Sequence, residues 1–564
     1  MTETNPEVLD VAIVGGGVSG VYSGWRLLTA SAESGATPKH IRLFEMSDRL
    51  GGRLLSVRPP GTPDLSVELG GMRYMSSQTY MNSLVHYLEM PIQCFPVDEP
   101  NNIYYLRGER LRASELADPA KVPYQLTWAE WVAVKNGGAG QLLFQVLNQL
   151  LAGATQLQTK AMETFLREFV FEGKRLHEWG FWNLLSKGLS SEGRRFAQQT
   201  VGYDTAFWNW NALDTILMNF DFAPDAKYFS FPDGFEGLPE KLGSLFTEAG
   251  GQLHLEHRLK SFDVASLPDG SVGVSLMMCA KEPDGSWGAP QEILARSLVL
   301  SMPRRSLELI DQTGAVLGPD NPDVHEMIGS VTPNPLFKMV LAYPYPWWEG
   351  VGVKQGHSIT DLPVRQCYYW GVEGEGETGA NRCQNAVLEI YDDGVNVDFW
   401  RGFQESHEPH EDADRQLYLH AEDGVDPRCD EFPGSKNWEP YEAPKAMVDE
   451  AHRQIMDMHG AAYAPAPYAA AFKVWRDDPY GGGVNFWNIH ADSYAIVPKI
   501  VNPKPNVPVY ITGEAYSHGQ GWVEGALETA EIVLQDHFGL RAPGWIIAFD
   551  PNDPSQNPCK QNES

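Results

Sequence analysis

Three glycines carry the first chemical signal in this chain. Gly15, Gly17 and Gly20 lie in Gly15-Gly16-Gly17-Val18-Ser19-Gly20, after the apolar run Val8 to Val14 and ahead of apolar residues at Val18, Val21, Tyr22, Trp25 and Leu28. This order predicts a strand, a tight turn and an amphipathic helix, with the turn letting a pyrophosphate approach the helix N-terminus and its free N–H groups. Beyond the small and polar residues Ser31 to His40, Ile41 to Phe44 reads as a second strand ending in Glu45. A carboxylate there accepts both ribose hydroxyls and repels an added ribose phosphate, so the pattern points to a dinucleotide without that phosphate.

A second signal is a charge among apolar residues. Lys338 interrupts Leu336-Phe337-Lys338-Met339, where an ammonium is costly unless it has a partner or a purpose; a solvent-facing strand position is the alternative. The cluster Phe207-Trp208-Asn209-Trp210 with Asp214, Asp221 and Asp225 could line an aromatic pocket or hold a cation, and core packing is the plainer reading. The six cysteines, Cys94, Cys279, Cys367, Cys383, Cys429 and Cys559, contain no CxxC pair. They suggest neither a disulfide framework nor a metal site, and a reducing, cytoplasmic setting is expected.

The elements that must position these groups are spread along 564 residues, which implies two or three domains. The 54 glycines and 40 prolines follow no period, and 43% hydrophobic content can fill real cores, so disorder and fibrous repeats are excluded. The net charge of −31 opposes nucleic acid and anionic membranes. MTETNPEVLD lacks the features of a signal peptide, and no apolar run reaches the ~18 residues of a membrane span, so a soluble, unanchored protein is expected.

Further strand and helix signals recur far from the first: a helix through Leu238, Leu242, Leu245 and Phe246, strands at Gln252 to Phe262, Ser297 to Met302 and Val507 to Thr512, and a helix from Trp522 to Phe538. Between them, residues 129–236 read as helical, and residues 334–461 carry β-type runs such as Leu336 to Tyr343 and Ala386 to Tyr391. Glu373 to Asn381 and His407 to Asp414 read as polar loops, and residues 551–564 as a disordered tail.

Arg49-Leu50-Gly51-Gly52-Arg53 follows Glu45, and Glu68-Leu69-Gly70-Gly71-Met72-Arg73-Tyr74 follows that. With Trp475 before Asp478-Pro479-Tyr480-Gly481-Gly482, and with Thr512-Gly513-Glu514 before Gly521-Trp522-Val523-Glu524-Gly525, the chain resembles the flavin-dependent amine oxidases, and within them the L-amino-acid oxidases. The resemblance implies an α/β fold: an FAD-binding Rossmann-like domain of the glutathione-reductase type (residues 1–77, 237–333 and 462–550), a mixed-sheet substrate domain (78–128 and 334–461) and an inserted helical domain (129–236).

It also implies roles. FAD is expected against Gly15, Gly17, Gly20, Glu45, Gly52, Arg53, Gly70, Gly71, Met72, Arg73, Leu259, Gly513, Glu514, Gly521, Trp522 and Val523. In the family the arginine at Arg73 grips the substrate carboxylate, and a tyrosine matching Tyr391 adds a hydrogen bond, an ordinary sheet tyrosine being the other reading. Trp522 with Gly521 would wall the substrate cage, and the lysine at Lys338 holds a water near flavin N5 and assists oxygen. Thr360-Asp361-Leu362-Pro363 and Tyr368-Tyr369 also resemble these enzymes.

Gly483 stands where monoamine oxidases attach FAD to cysteine, so a noncovalent flavin is expected. No histidine between Phe220 and Phe231 matches the one some relatives carry. The resemblance implies oxidative deamination of an L-amino acid by dioxygen, in a homodimer or larger homo-oligomer. The alternatives are tryptophan 2-monooxygenase-like oxidative decarboxylation and a flavin-free binding protein of the Rab GDP-dissociation-inhibitor kind.

Overall fold

The computed structural model describes residues 7–31, 37–153, 159–221, 226–374, 384–404 and 436–559. The first of its two large sheets is assembled from distant pieces of sequence. Val8–Val14 lies between two parallel neighbours, Ile41–Phe44 and Gln291–Ser301, with Val8 opposite Leu294 and Val14 opposite Leu300. Gln252–His254 extends one edge in parallel, and Val509–Thr512 pairs in parallel with the end of Gln291–Ser301. His257–Ser266 and Val272–Ala280 complete the sheet in antiparallel fashion. Leu9, Val11, Ala12 and Ile13 are buried because both faces are covered. On one face Ile13 and Val299 share a core with Val21, Leu242, Phe246 and Leu534 of the helices Val18–Thr29, Gly237–Glu248 and Val523–Asp536.

The second sheet runs Ala469–Val474, Leu336–Tyr343, Ala386–Asp393, Gln366–Val372, His357–Thr360, Ile103–Leu106, Glu109–Arg112. Its pairings are antiparallel except His357–Thr360 with Ile103–Leu106. Leu336–Tyr343 is buried along its whole length. Its period-two alternation sends Phe337, Met339, Leu341 and Tyr343 into a core with Met447, Ala451, Ile455 and Met458 of the helix Lys445–His459. Leu336, Val340 and Ala342 face Leu55, Val57, Val67 and Leu69. Lys338 is on this second face, directed at the Val67 to Gly71 segment and not at solvent.

The helices Trp128–Lys135, Gly138–Leu150, Ser191–Val201 and Ala212–Asp221 have their own core of Leu142, Leu147, Leu184, Phe196, Phe207 and Ile216.

Three expectations change. Ala469–Val474 pairs with Leu336–Tyr343 in the second sheet, whereas the expected division places everything from 462 with the first; its apolar pattern suits either sheet, and only the register decides. The tail expected to be disordered from residue 551 is instead held against the body as far as Cys559, which forms a disulfide with Cys94. The expectation of no disulfide fails because 465 residues separate the partners and no spacing rule reaches that far. Such bridges persist in oxidising compartments, so the cysteine argument for a reducing, cytoplasmic setting loses its ground. Asp225, the side chain of Asp221, the loop His407 to Asp414, most of Glu373 to Asn381, Cys383 and Cys429 lie outside the described residues.

Among the described residues no helix is long and apolar enough to cross a membrane, and no group of three His, Cys, Asp or Glu is placed to hold a metal ion.

Candidate active site

The two sheets and the helical segment enclose a cavity of about 1730 Å³. Its first part is a dinucleotide cradle. Gly15 has φ +113°, and a Cβ there would stand 2.1 Å from the Ser301 carbonyl oxygen. At Gly20 a Cβ would meet the Gly15 carbonyl oxygen at 2.0 Å, so these two glycines let the turn and helix close on the sheet. Gly17 differs: a Cβ there meets nothing within 4 Å, because the position faces the cavity. The helix beginning at Val18 has no side-chain cap and no acidic residue in its first turn, which leaves its N–H groups and positive end for an anion. Glu45 is fixed at its strand end, its carboxylate accepting from the Gly16 N–H at 2.6 Å and from the Ser47 N–H and hydroxyl at 2.8 Å.

Arg53 ties the early motif to the late one. It forms an ion pair with Glu514 at 2.8 Å and donates to the Gly483 carbonyl at 3.0 Å. Glu514 in turn accepts from the N–H groups of Asn485 and Gly521, both at 2.9 Å, which sets the turn that presents Trp522. Gly52, Gly70, Gly71, Met72, Leu259, Gly513, Gly521, Trp522 and Val523 all line the cavity. Gly20 does not; it supports the turn from behind. Trp475 is buried and donates to the Leu69 carbonyl at 2.6 Å, fixing the strand that leads into Gly70-Gly71.

The deeper part of the cavity is organised by Arg73. The side chain is buried, and its guanidinium lies 4.7 Å from the Tyr228 ring centre, 5.5 Å from Phe95 and 5.7 Å from Tyr368. Its hydrogen bonds go to the hydroxyls of Tyr203 and Tyr368, both at 3.3 Å. Among the described residues no carboxylate comes within ion-pair distance of it. Tyr391 lines the same chamber, edge-on to Tyr203 at 5.3 Å, and burial raises its phenol pKa well above the ordinary value, which keeps it a neutral donor.

Lys338 is buried and donates to the Glu389 carboxylate at 2.6 Å and to the Glu68 carbonyl at 3.3 Å, with its ammonium 4.9 Å from the Tyr391 ring centre. Burial lowers the lysine pKa and Glu389 opposes that shift. Burial likewise raises Glu389, and pushes Glu68 up to about 8.

Sequence reasoning brought Arg73, Tyr391, Lys338 and Trp522 into one cavity and missed Tyr203, Tyr228, Phe95 and Glu389. The first three come from separate segments, Tyr228 from the strand Tyr228–Ser230 and the other two from loops, and carry no local pattern. Glu389 had a signal: it is a carboxylate inside the apolar run Ala386 to Tyr391, two residues before Tyr391 and therefore on the same face. The aromatic cluster near 208 does not line this chamber. Phe207 is core, Trp210 stacks on Phe486 at 5.1 Å, and Asp214 accepts from the Ser493 hydroxyl at 2.8 Å. Asp361 accepts from the Arg107 N–H, and Tyr369 bonds with Ser358, so both have structural partners.

Residues 18–533 match the family model of the flavin containing amine oxidoreductases. The chain belongs to that family. Among its relatives is Aplysianin-A of Aplysia kurodai, 26% identical over 565 residues that cover 94% of this chain and 90% of the relative. An L-amino-acid oxidase of Bothrops moojeni is 21% identical over 373 residues, 65% of this chain and 66% of its own length. Cyclohexylamine oxidase from Brevibacterium oxydans IH-35A shares the fold at a TM-score of 0.60 and 17% identity, with 94% and 99% of the two chains covered. The family's flavin fits this amine oxidoreductase: the uncapped helix end suits a diphosphate, Glu45 a ribose, and Gly17 leaves the space open.

Proposed function

We propose that the protein is an L-amino-acid oxidase that converts an L-α-amino acid, water and dioxygen into a 2-oxo acid, ammonia and hydrogen peroxide on noncovalently held FAD. The observation that carries this reading is Arg73, a buried guanidinium facing the cavity with no carboxylate of its own among the described residues. An unpaired buried cation is costly, and a substrate carboxylate supplies the missing partner through two parallel hydrogen bonds. A simple amine offers nothing to Arg73. Relatives named as L-amino-acid oxidases agree with this choice.

FAD, when bound, accepts a hydride from the substrate Cα. Arg73 and Tyr391 fix the carboxylate, Tyr203, Tyr228 and Phe95 exclude water around it, and Trp522 bounds the chamber. Noncovalent attachment is supported by Gly483 and by the free cysteines among the described residues: Cys279 and Cys367 are buried and neither lines the cavity. Lys338, the ammonium nearest Tyr391, is assigned to the return of electrons to dioxygen, because a positive charge in a dry site favours negative charge developing on oxygen.

The deciding experiment is a peroxide assay across the twenty L-amino acids with ammonia and carbon dioxide measured in parallel. Peroxide with stoichiometric ammonia is expected. Carbon dioxide in place of ammonia would assign oxidative decarboxylation instead, and turnover of simple amines alone would remove the amino-acid reading.

A further inference from the structure

The chamber holds two buried cationic side chains, Arg73 and Lys338, on adjoining walls. Glu389 is the carboxylate that contacts one of them, at 2.6 Å from the Lys338 ammonium, and it lies within electrostatic reach of the other. The groups around this pair come from every neighbouring element: Glu68 below, Tyr391 opposite Lys338 in register, Lys473 opposite it on the other strand, Tyr368 opposite Glu389, and, on the other face of the Tyr368 strand but within electrostatic reach of Glu389, the Cys367 thiol. Glu68 is directed elsewhere, its carboxylate accepting from the Phe235 N–H at 2.7 Å and the Ser56 hydroxyl at 2.8 Å, and burial favours its neutral form. Without Glu389 the lysine would face Arg73 with no anion bonded to it, and desolvation plus repulsion would drive it to the neutral amine.

We infer that Glu389 is a positioning residue that keeps Lys338 charged and aimed along the cavity wall, so that the positive charge beside the flavin belongs to the pair and not to the lysine alone. This rests on the reading that Lys338 stands beside the flavin and extends it by naming what holds the charge there.

The test is an equilibrium titration of the oxidised holoenzyme with sulfite, an anion that bleaches flavin on binding and is favoured by nearby positive charge, together with kcat/KM for oxygen. Wild type, Glu389→Gln, Glu389→Asp, Lys338→Met and the double variant Lys338→Met/Glu389→Gln are compared at about pH 6 and about pH 9, either side of a lysine whose pKa has been lowered.

Glu389→Gln is expected to weaken sulfite binding and slow the oxygen reaction about ten-fold or more at the higher pH, the effect of losing one pKa unit or more, and to recover most of both at the lower pH. Glu389→Asp should stay near wild type, and Lys338→Met should be weak at both pH values. The double variant should equal Lys338→Met, since a residue acting through another adds nothing once that other is gone. It removes both charges of the Lys338–Glu389 pair and strands neither, so it serves if Glu389→Gln does not fold. Wild-type behaviour of Glu389→Gln at both pH values, a loss without acid recovery, or a double variant worse than Lys338→Met would each overturn the inference. Unchanged sulfite affinity in Lys338→Met would instead overturn the placement of Lys338 beside the flavin.

Discussion

The Tyr228 ring covers the Arg73 guanidinium at 4.7 Å, and the backbone carbonyl of the same tyrosine lies 3.9 Å from the Cys559 sulfur. Arg73, the residue proposed to hold the substrate carboxylate, and Cys559 are thus joined through one residue. Phe95, also over Arg73, adjoins Cys94, the other half of the bridge.

Removing that bridge should loosen both stability and substrate binding. Cys559→Ser is expected to lose about 2 to 5 kcal/mol of constraint on the unfolded chain. Thermal unfolding should show a lower Tm, and steady-state kinetics a raised KM for amino acid with kcat changed less. Mild reduction of the wild type should reproduce both effects, and reduction of the variant should add nothing.

Arg73→Met should reduce kcat/KM for L-amino acids about 10²- to 10⁴-fold, the scale of losing one partner of a buried charge pair at about 3 to 5 kcal/mol. The bound flavin spectrum should be retained. An unchanged kcat/KM would remove the amino-acid assignment, whereas loss of flavin would place Arg73 in cofactor binding. D-amino acids should be poor substrates, since pinning the carboxylate turns their Cα hydrogen away from the flavin.

Acid or heat precipitation should release all yellow colour into the supernatant. Colour that stays in the washed pellet would mean a covalent link and would overturn the reading taken from Gly483.

Lys338→Met should bleach at near wild-type rate when amino acid is added without air, and recolour ten-fold or more slowly once air is admitted, the order of about 1.4 kcal/mol of lost barrier stabilisation. Stopped-flow traces with crippled bleaching and normal recolouring would move Lys338 to substrate positioning.

The parts legible in the sequence are those in which local backbone geometry dictates residue type. Gly15 and Gly20 are forced by approaches near 2 Å, and they announce the cradle without any knowledge of the rest. Lys338 was legible as an anomaly, yet its partner lies on the neighbouring strand, so the anomaly could be seen and not explained. Tyr203, Tyr228 and Phe95 are ordinary aromatics until three segments converge on Arg73. The Ala469–Val474 strand was misassigned for a related reason, since an apolar run does not say which sheet it will join.

The pairing of Val8–Val14 with Gln291–Ser301 has a temporal side. A ribosome adding roughly 5 to 20 residues per second would deliver the first strand tens of seconds before its central partner exists. Until then an apolar strand destined for the middle of a sheet has at most one neighbour, and a bare edge invites pairing with other chains. Val509–Thr512 arrives later still. Fragments ending before residue 291 should therefore aggregate when expressed, and yield of the whole chain should rise when chaperones are supplied, because the nascent protein must be kept from its neighbours for most of its own synthesis.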